Sequence, residues 1–212
     1  MEFVLKLVDP VKKQTLHGLA SFEGLSPMDP PDAYAPPSIT PVAVADMHPF
    51  LQRQVAEHLP FLSEVDAFEN TILSIQKNGY TKEADGRLKH FLNFLDEEFI
   101  AHSRREEALL FPLLRQRLLE AGEHGNGDEP QTPVDMMQDE HIKAIQLAAV
   151  ILNFLGLAFR LPDEQTRLIV LGAAIEQSKF LVELLRLHVF REDNVVFPMA
   201  HQLITSAEFD RM

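Results

Sequence analysis

The chain has no cysteine among its 212 residues, and it has few positive charges. The absence of cysteine excludes disulfides, thiolate ligation of iron–sulfur clusters and thiol catalysis, and it fits a reducing compartment. The 19 Lys and Arg residues are outnumbered by 32 Asp and Glu residues, which gives a formal net charge of −13. This balance argues against nucleic acid or an anionic membrane surface as a partner.

Long apolar runs are also scarce in the sequence. The opening residues MEFVLKLVDPVKKQ lack the apolar core of a signal peptide. No segment is expected to supply the roughly 18 uncharged apolar residues of a membrane-spanning helix. Hydrophobic residues make up 46% and charged residues 24% of the chain, as in ordinary globular proteins. We therefore expect a soluble, cytoplasmic protein.

Proline divides the chain into an arm and a helical domain. Half of the 14 prolines fall between Pro27 and Pro49, in a stretch that cannot form the interior of a helix. The expected organisation is an N-terminal segment with a Pro-rich arm over residues 1–45, a helical domain over residues 46–206 and a tail over residues 207–212.

Apolar residues recur at helical spacing from Asp46 onward, and no stretch shows the alternation of a strand. Asp46 and Asp163 are the predicted N-caps of the first and fourth helices. The predicted helices run from about Met47 to Lys77, Thr81 to Leu119, Val134 to Phe159 and Glu164 to Pro198. Four long helices with short connections predict an all-α protein with an antiparallel four-helix bundle.

One histidine lies within the apolar stripe of each predicted helix: His58, His102, His141 and His188. Two of them begin related sequences, HSRREEALLFP at residues 102–112 and HVFREDNVVFP at residues 188–198. In both sequences a glutamate, Glu106 or Glu192, follows four positions later and shares the helix face of the histidine. The apolar stripe is predicted to continue inward at Leu109 and Leu113 in the second helix. In the third helix it is predicted to continue at Ile145 and Leu152.

Burying four imidazoles and two carboxylates is costly unless they are satisfied, and metal ions would satisfy them. Imidazole and carboxylate ligands suit iron, manganese or zinc. The alternative is a metal-free bundle in which these polar groups satisfy one another. Neither His17, His48, His90 nor His201 belongs to the predicted ligand face.

Other residues of the two motifs receive structural roles. Glu107 and Asp193 point about 100° away from the glutamates that precede them, so surface or salt-bridge roles are expected. Phe111 and Phe197 are expected to pack over the site and exclude water. The prolines after them are expected to bend or end the helix.

The paired motifs resemble the hemerythrin-like family, also called HHE cation-binding domains. The matching residues are His58 in VAEHLPFL, the motif from His102, His141 in MQDEHIKAI, and the motif from His188, within residues 46–206. The resemblance implies a four-helix bundle with two iron ions joined by an oxo or hydroxo bridge. One iron would be bound by His58 and His102 and the other by His141 and His188, with both glutamates bridging.

The ligand pattern departs from that of oxygen-carrying hemerythrins. Those proteins use five histidines and an aspartate, whereas position 145 here is Ile and the last carboxylate is four residues after His188. Four histidines and two glutamates more closely resemble the di-iron domain of bacterial iron–sulfur-cluster repair proteins. Those proteins also carry a cysteine-bearing N-terminal domain, and this chain has no cysteine.

Two functions follow as hypotheses. The first is a non-haem di-iron protein that binds or reacts with dioxygen, peroxide or nitric oxide in sensing, stress response or iron handling. The second is a bundle stapled by metal that acts as an interaction module without redox turnover. The N-terminal arm would then bind a protein partner or a second protomer. The ligands alone do not decide whether the protein is an enzyme.

Overall fold

A computed structural model describes residues 40–212 of the chain. The predicted arm, except for its end, and His17 lie outside the described residues. Residues 40–212 contain helices and no strand, as predicted. The sequence-based prediction of an all-α bundle is confirmed.

The first helix, α1, spans Pro49–Asn78. The prediction that Asp46 caps it is wrong, because the Nδ1 of His48 accepts a hydrogen bond from Phe50 N at 3.2 Å. Asp46 instead ends a short 3-10 turn at Val44–Asp46. The helix ends at Asn78, one residue beyond the predicted Lys77, and Gly79 follows with a φ of 84°, a value that glycine adopts without strain.

The second helix, α2, runs without interruption over residues 82–121 and contains two π-helical turns. Thr81 caps it by accepting a hydrogen bond from Ala84 N. Its successive segments are Lys82–Phe94 (α), Leu95–Phe99 (π), Ile100–Arg105 (α), Glu106–Leu110 (π) and Phe111–Ala121 (α).

The third helix, α3, spans Pro133–Ala158 and begins with a capping box between Thr132 and Asp135. The fourth, α4, covers residues 164–203 and is capped by Asp163, as predicted. Its segments are Glu164–Arg191 (α), Glu192–Val196 (π) and Phe197–Leu203 (α). A last short helix, α5, spans Ser206–Phe209 and packs Phe209 against the His48 ring at 4.8 Å.

The Phe-Pro pairs do not end their helices. Both helices continue past the proline, to Ala121 in α2 and to Leu203 in α4, and a π turn precedes each pair. A proline in a regular helix lacks its N–H and clashes with the carbonyl four residues earlier. The wider π turn rearranges those carbonyls and lets the helix continue.

The π turn also corrects the predicted inner face of α2. Leu109 is 38% exposed, whereas Leu110 and Leu114 are fully buried. The extra residue in the turn Glu106–Leu110 moves every later residue one position out of the predicted phase. Leu113, predicted to point inward, is only partly buried.

The predicted inner face of α3 is wrong at two positions. Ile145 and Leu152 are 46% and 54% exposed, and Ala144 and Ile151 are buried in their place. Helix α3 has apolar residues of its own on both its inner and its outer face, so hydrophobicity alone does not distinguish the two faces.

Helix α3 also modifies the expectation about membrane-spanning segments. Among the described helices it alone is long and apolar enough to cross a membrane, with a mean hydropathy of 1.6 over its best window. In the bundle 28% of this 18-residue stretch of α3 is buried. The same helix contributes Met137 and His141 to the protein interior.

The four long helices pack as neighbours in the order α1, α2, α3, α4 and back to α1. Their apolar side chains form two separate clusters along the bundle axis. One is centred on Phe61, Phe68 and Leu181, and the other on Phe111 and Phe197. The four histidines and two glutamates predicted to bind metal form a polar layer between these clusters.

Candidate metal centre

The structure brings all six predicted metal ligands together at the middle of the bundle. Each long helix contributes a histidine, and α2 and α4 each add a glutamate one turn further on. Glu106 and Glu192 are 0% exposed, and the four histidines are between 2% and 7% exposed. A buried group of this kind needs internal partners, because burial removes most of its contact with water.

The ligands divide into two groups that could each hold one cation. One group consists of His58, His102 and Glu192, and the other of Glu106, His141, His188 and Glu192. The Glu106 Oε2 lies 3.6 Å from His102 Nε2 and 3.5 Å from His141 Nε2. Glu106 therefore lies between the two histidine pairs.

Glu192 occupies an equivalent position on the other side. Its Oε2 lies 3.1 Å from His58 Nε2, and its Oε1 lies 3.0 Å from His188 Nε2. Each carboxylate is thus placed between one histidine of each pair, as bridging ligands would be.

A separate carboxylate contacts the outer nitrogen, Nδ1, of every one of these histidines. The pairs are His58 with Asp193 at 2.8 Å, His102 with Glu57 at 2.9 Å, His141 with Glu107 at 2.8 Å and His188 with Glu140 at 3.1 Å. A carboxylate accepts a hydrogen bond from Nδ1–H, so the Nε2 atom of each ring points into the site. Such outer carboxylates also increase the basicity of a metal-binding imidazole.

Two of these outer carboxylates also pair with an arginine three residues after a motif histidine. Arg191 pairs with Glu140 in the interior, where both side chains are about nine-tenths buried or more. Arg105 pairs with Glu57 nearer the surface, where the two side chains are 42% and 47% exposed. The histidines on the two sides of the site are therefore supported by one buried and one exposed ion pair.

The buried polar atoms fit a metal better than they fit one another. Eight buried side-chain nitrogen and oxygen atoms in residues 40–212 lack a hydrogen-bond partner, and six of them belong to His58, His102, Glu106 and Glu192. His141 Nε2 and His188 Nε2 lie 3.2 Å apart. Because both rings donate a hydrogen bond outward from Nδ1–H, the two Nε2 lone pairs face each other. A cation between the groups would give the unpartnered atoms a ligand and would separate the two facing lone pairs.

Without metal the two glutamates differ in protonation. Burial, together with the nearby charge of Glu192, raises the pKa of Glu106 well above its usual range. Burial would do the same to Glu192, but His188, His58 and His102 outweigh it and lower the pKa of Glu192. In the metal-free site these opposite shifts favour the protonated form of Glu106 and the ionised form of Glu192.

The histidines are also perturbed in opposite directions. Burial alone would lower the pKa of His58, but its contacts with Asp193 and Glu192 raise it to about 9. Burial and the neighbouring His188 lower the pKa of His141 to about 4. Strong shifts of opposite sign within one buried cluster are typical of functional sites.

Aromatic rings close the site against water. Phe111 stacks on His141 at 5.8 Å and Phe197 on His58 at 5.7 Å, and both phenylalanines are fully buried. These contacts confirm the predicted packing role. Phe99 adds edge contacts to His141 and His188 from the opposite side.

A cavity of about 220 Å³ leads to one side of the site. Its inner wall includes His58, His102 and Glu192, and His188 also lines it. Most of the remaining wall is apolar, and the exposed carboxylates of Glu57 and Glu98 also line it. The site is thus accessible to small molecules along a largely apolar path.

The sequence model of the hemerythrin HHE cation-binding domain matches residues 50–200, which is most of the chain and includes all six predicted ligands. The chain belongs to this family. The resemblance inferred from the two motifs is confirmed. Cation binding is the property by which this domain family is described.

Curated relatives of this HHE domain include the iron–sulfur cluster repair protein YtfE of Escherichia coli O1:K1, of E. coli SMS-3-5 and of Escherichia fergusonii. Each is 30% identical over 113 residues, which is 53% of this chain and 46% of the relative. The aligned part is thus about half the length of each of these relatives. No solved structure matches the chain significantly.

Of the four outer carboxylates of the HHE site, the sequence analysis assigned a role to only two. Glu107 and Asp193 were expected to make surface or salt-bridge contacts, and they do pair with histidines of neighbouring helices. Glu57 and Glu140 received no role. Their signal in the sequence is that each directly precedes a lone histidine, as Glu-His in both α1 and α3.

The remaining histidines of the described part lie away from the site. His48 caps α1, and the exposed His90 lies 3.2 Å from Glu64. His201 lies in the last turns of α4, beyond the layer of ligands. Ligation by the six predicted residues itself stays a prediction.

Proposed function

We propose that this HHE domain holds two iron ions and binds or reacts with small oxidants, namely dioxygen, peroxide or nitric oxide. His58 and His102 would bind one iron, and His141 and His188 the other. Glu106 and Glu192 would bridge them. Nitrogen and oxygen donors without thiolate suit iron in either oxidation state.

The cavity is the observation that carries this proposal. A purely structural metal site is closed, whereas a reactive one keeps an accessible position. The cavity of about 220 Å³ reaches four of the predicted ligands, His58, His102, His188 and Glu192. Its volume corresponds to roughly seven water-sized molecules, because a water occupies about 30 Å³ in the liquid. The largely apolar wall favours small molecules without charge.

The residues of the chain prepare the site for such a reaction. The four outer carboxylates fix each imidazole with Nε2 inward, so no ring must turn when the site binds metal. Phe111 and Phe197 exclude bulk water from the histidines they cover. When bound, a ferrous pair supplies electrons and open coordination positions for a small oxidant.

The relatives point to the setting in which such chemistry is useful. Three of them are described as iron–sulfur cluster repair proteins. Together with the HHE family assignment, this supports a role in iron handling or in an oxidative or nitrosative stress response. A reducing cytoplasm is the location we propose, since it would maintain the ferrous state.

Metal analysis and rapid mixing test the proposal. We expect about two irons per chain after anaerobic ferrous loading, as in other two-metal carboxylate bundles. The reduced protein should react with nitric oxide, dioxygen or peroxide in stopped-flow spectroscopy. Glu106→Gln and Glu192→Gln should lose most of the bound iron, because each removes a carboxylate that lies between the two histidine pairs.

Glu97→Gln is the matched control, because Glu97 lies on the same helix as Glu106 but is exposed. It should keep both metal and reactivity. Metal bound equally by wild type and both bridging variants would contradict the assignment of the site. Two bound irons that stay inert toward all three oxidants would instead favour the metal-stapled interaction module.

A further inference from the structure

The outward face of α3 carries an apolar stripe that the bundle does not use. The stripe recurs at alternating steps of three and four residues, and its members are Ile142, Ile145, Ala149, Leu152 and Gly156 on α3 and Phe159 directly after its last residue. We call this set the outer stripe. Its four large side chains are between 46% and 54% exposed. The Phe159 ring also meets the Tyr80 ring edge-on at 4.6 Å. Contiguous exposed apolar surface of this kind marks an interaction site.

The opposite face of the same helix already supplies the bundle core. Met137, Ala144, Ile151 and Ala158 are buried there at intervals of seven residues. Apart from the contact of Phe159 with Tyr80, the outer stripe is therefore surplus to the packing of the four helices. Residues 144–159 contain no charged side chain, so the middle of the outer face has no group that water solvates strongly.

We propose that the outer stripe is a homodimer interface, in which α3 of one chain packs antiparallel against α3 of a second copy about a twofold axis. Steps of three and four residues are the spacing of left-handed helix pairs. A twofold dimer uses the same patch on both chains, so one self-complementary stripe is sufficient.

The order of small and large residues makes the stripe self-complementary in the antiparallel direction. With the twofold axis midway along the stripe, Ala149 faces Leu152 of the second copy. One layer further out, Gly156 faces Ile145 of the second copy. Each of these layers combines one small and one large side chain, which fills the space between helices evenly. The first and last residues of the stripe pair with each other at both ends.

Charges at the ends of the stripe also favour the antiparallel direction. Lys143 and the exposed Asp139 lie near its beginning, and Arg160 follows its end. An antiparallel pair places Arg160 close to Asp139 of the second copy, whereas a parallel pair places like charges together. The choice between the two directions thus follows from packing and charge alike.

The stripe is about 26 Å long at the helical rise, so the interface is near the lower limit for a specific dimer. We expect a monomer–dimer equilibrium with a dissociation constant in the micromolar range. This surface differs from the N-terminal arm that the sequence suggested as a docking element.

Analytical ultracentrifugation of the full, metal-loaded chain tests the interface. Wild type should sediment as a dimer at about 100 µM, and Ile145→Glu or Leu152→Glu should weaken dimerisation at least tenfold. Ile169→Glu is the matched control, since Ile169 is 60% exposed on α4 and lies outside the stripe. All three variants should retain helical circular dichroism and metal content, because the altered residues are exposed.

Several results would overturn the proposal. A wild-type chain that stays monomeric at this concentration is one. Stripe variants that remain as dimeric as the control would place the association elsewhere, for example in residues 1–39. A chain that is monomeric in buffer but binds phosphatidylcholine vesicles through the stripe would identify a membrane-binding face.

Cross-linking tests the direction of the helices. The chain has no cysteine, so introduced cysteines report only on the intended positions. A mixture of Ala149→Cys and Leu152→Cys chains should form mixed disulfide dimers in preference to dimers of either variant alone. Preferential self-linking of Ala149→Cys would contradict the antiparallel arrangement.

Discussion

At the scale of single residues, the outer carboxylates determine how the candidate metal site is built. Each of the four histidines presents Nε2 inward because a carboxylate accepts a hydrogen bond from the other ring nitrogen, Nδ1. Helices α1 and α2 form a first helical hairpin, and α3 and α4 form a second. Two of these contacts join the two helices of one hairpin: Glu57 with His102 in the first, and Glu140 with His188 in the second. The other two connect the hairpins to each other.

The buried and exposed members of this group should behave differently on substitution. Glu140→Gln and Glu57→Gln should each lower metal affinity about tenfold or more, because both remove a charged partner of a ligand. Only Glu140→Gln should also lower the free energy of unfolding, by about 3 kcal/mol, since it leaves Arg191 buried without its counter-ion. The exposed Arg105 loses little when Glu57 is changed.

Chelator competition gives the affinities, and urea denaturation of the metal-free proteins gives the unfolding free energies. Glu64→Gln is the control, because Glu64 contacts only the exposed His90 among the charged groups of the described residues. Equal destabilisation by Glu57→Gln and Glu140→Gln would show that burial of the arginine is unimportant.

At the scale of helices, the two bridging glutamates share an unusual local structure. Glu106 and Glu192 each begin a π turn, and each turn is followed by Phe-Pro. The backbone N–H of Phe111 bonds to the Glu106 carbonyl, five residues earlier. We attribute these turns to the prolines, which a regular helix would not accommodate at this position.

A deletion tests that explanation. Removing the exposed Leu109 shortens the turn to a regular α-helical one, while residues from Leu110 onward keep their phase. The deletion should lower the free energy of unfolding by about 3 kcal/mol, because Pro112 then lies in a regular helix.

Adding Pro112→Ala to the deletion should recover most of that loss, as measured by urea denaturation. Pro112→Ala in the full-length chain is the control and should change stability little. A deletion that is equally harmful with proline or alanine would mean that the turn has another cause.

The helices also show how far the sequence could predict the structure. Periodicity located the four helices and the six site residues, because histidines within apolar stripes are a strong pattern. It failed for Leu109 because a π turn leaves no trace in hydrophobicity. It failed for Ile145 and Leu152 because α3 is apolar on both faces. The partners of Nδ1 depend on which helices are neighbours, and the sequence alone does not give that.

At the scale of the whole molecule, the polar layer separates two apolar clusters, so its protonation affects the stability of the bundle. In the metal-free protein the raised pKa of Glu106 means that the folded state keeps a proton which the unfolded state loses above about pH 4.5. The raised pKa of His58, about 9 against 6.5, has the same effect between pH 6.5 and 9. The contribution of His58 to stability therefore decreases as the pH rises from 6.5 to 9, and that of Glu106 decreases as the pH rises above about 4.5.

We expect the Tm of the metal-free protein to fall between pH 6.5 and 9. The metal-bound protein should show a smaller decrease or none, because its ligands have already lost their protons. Differential scanning calorimetry with and without a chelator measures both curves. Parallel curves for the two forms would contradict the protonation states assigned to the layer.

The pairing of outer carboxylates with histidines of neighbouring helices follows an approximate twofold pattern. Glu57 and His58 in the first hairpin correspond to Glu140 and His141 in the second, and the two motifs correspond in the same way. Every ligand and every outer partner thus occurs once in each half of the chain. Two copies of a single hairpin of this kind, assembled face to face, would therefore present a complete set of ligands and outer partners.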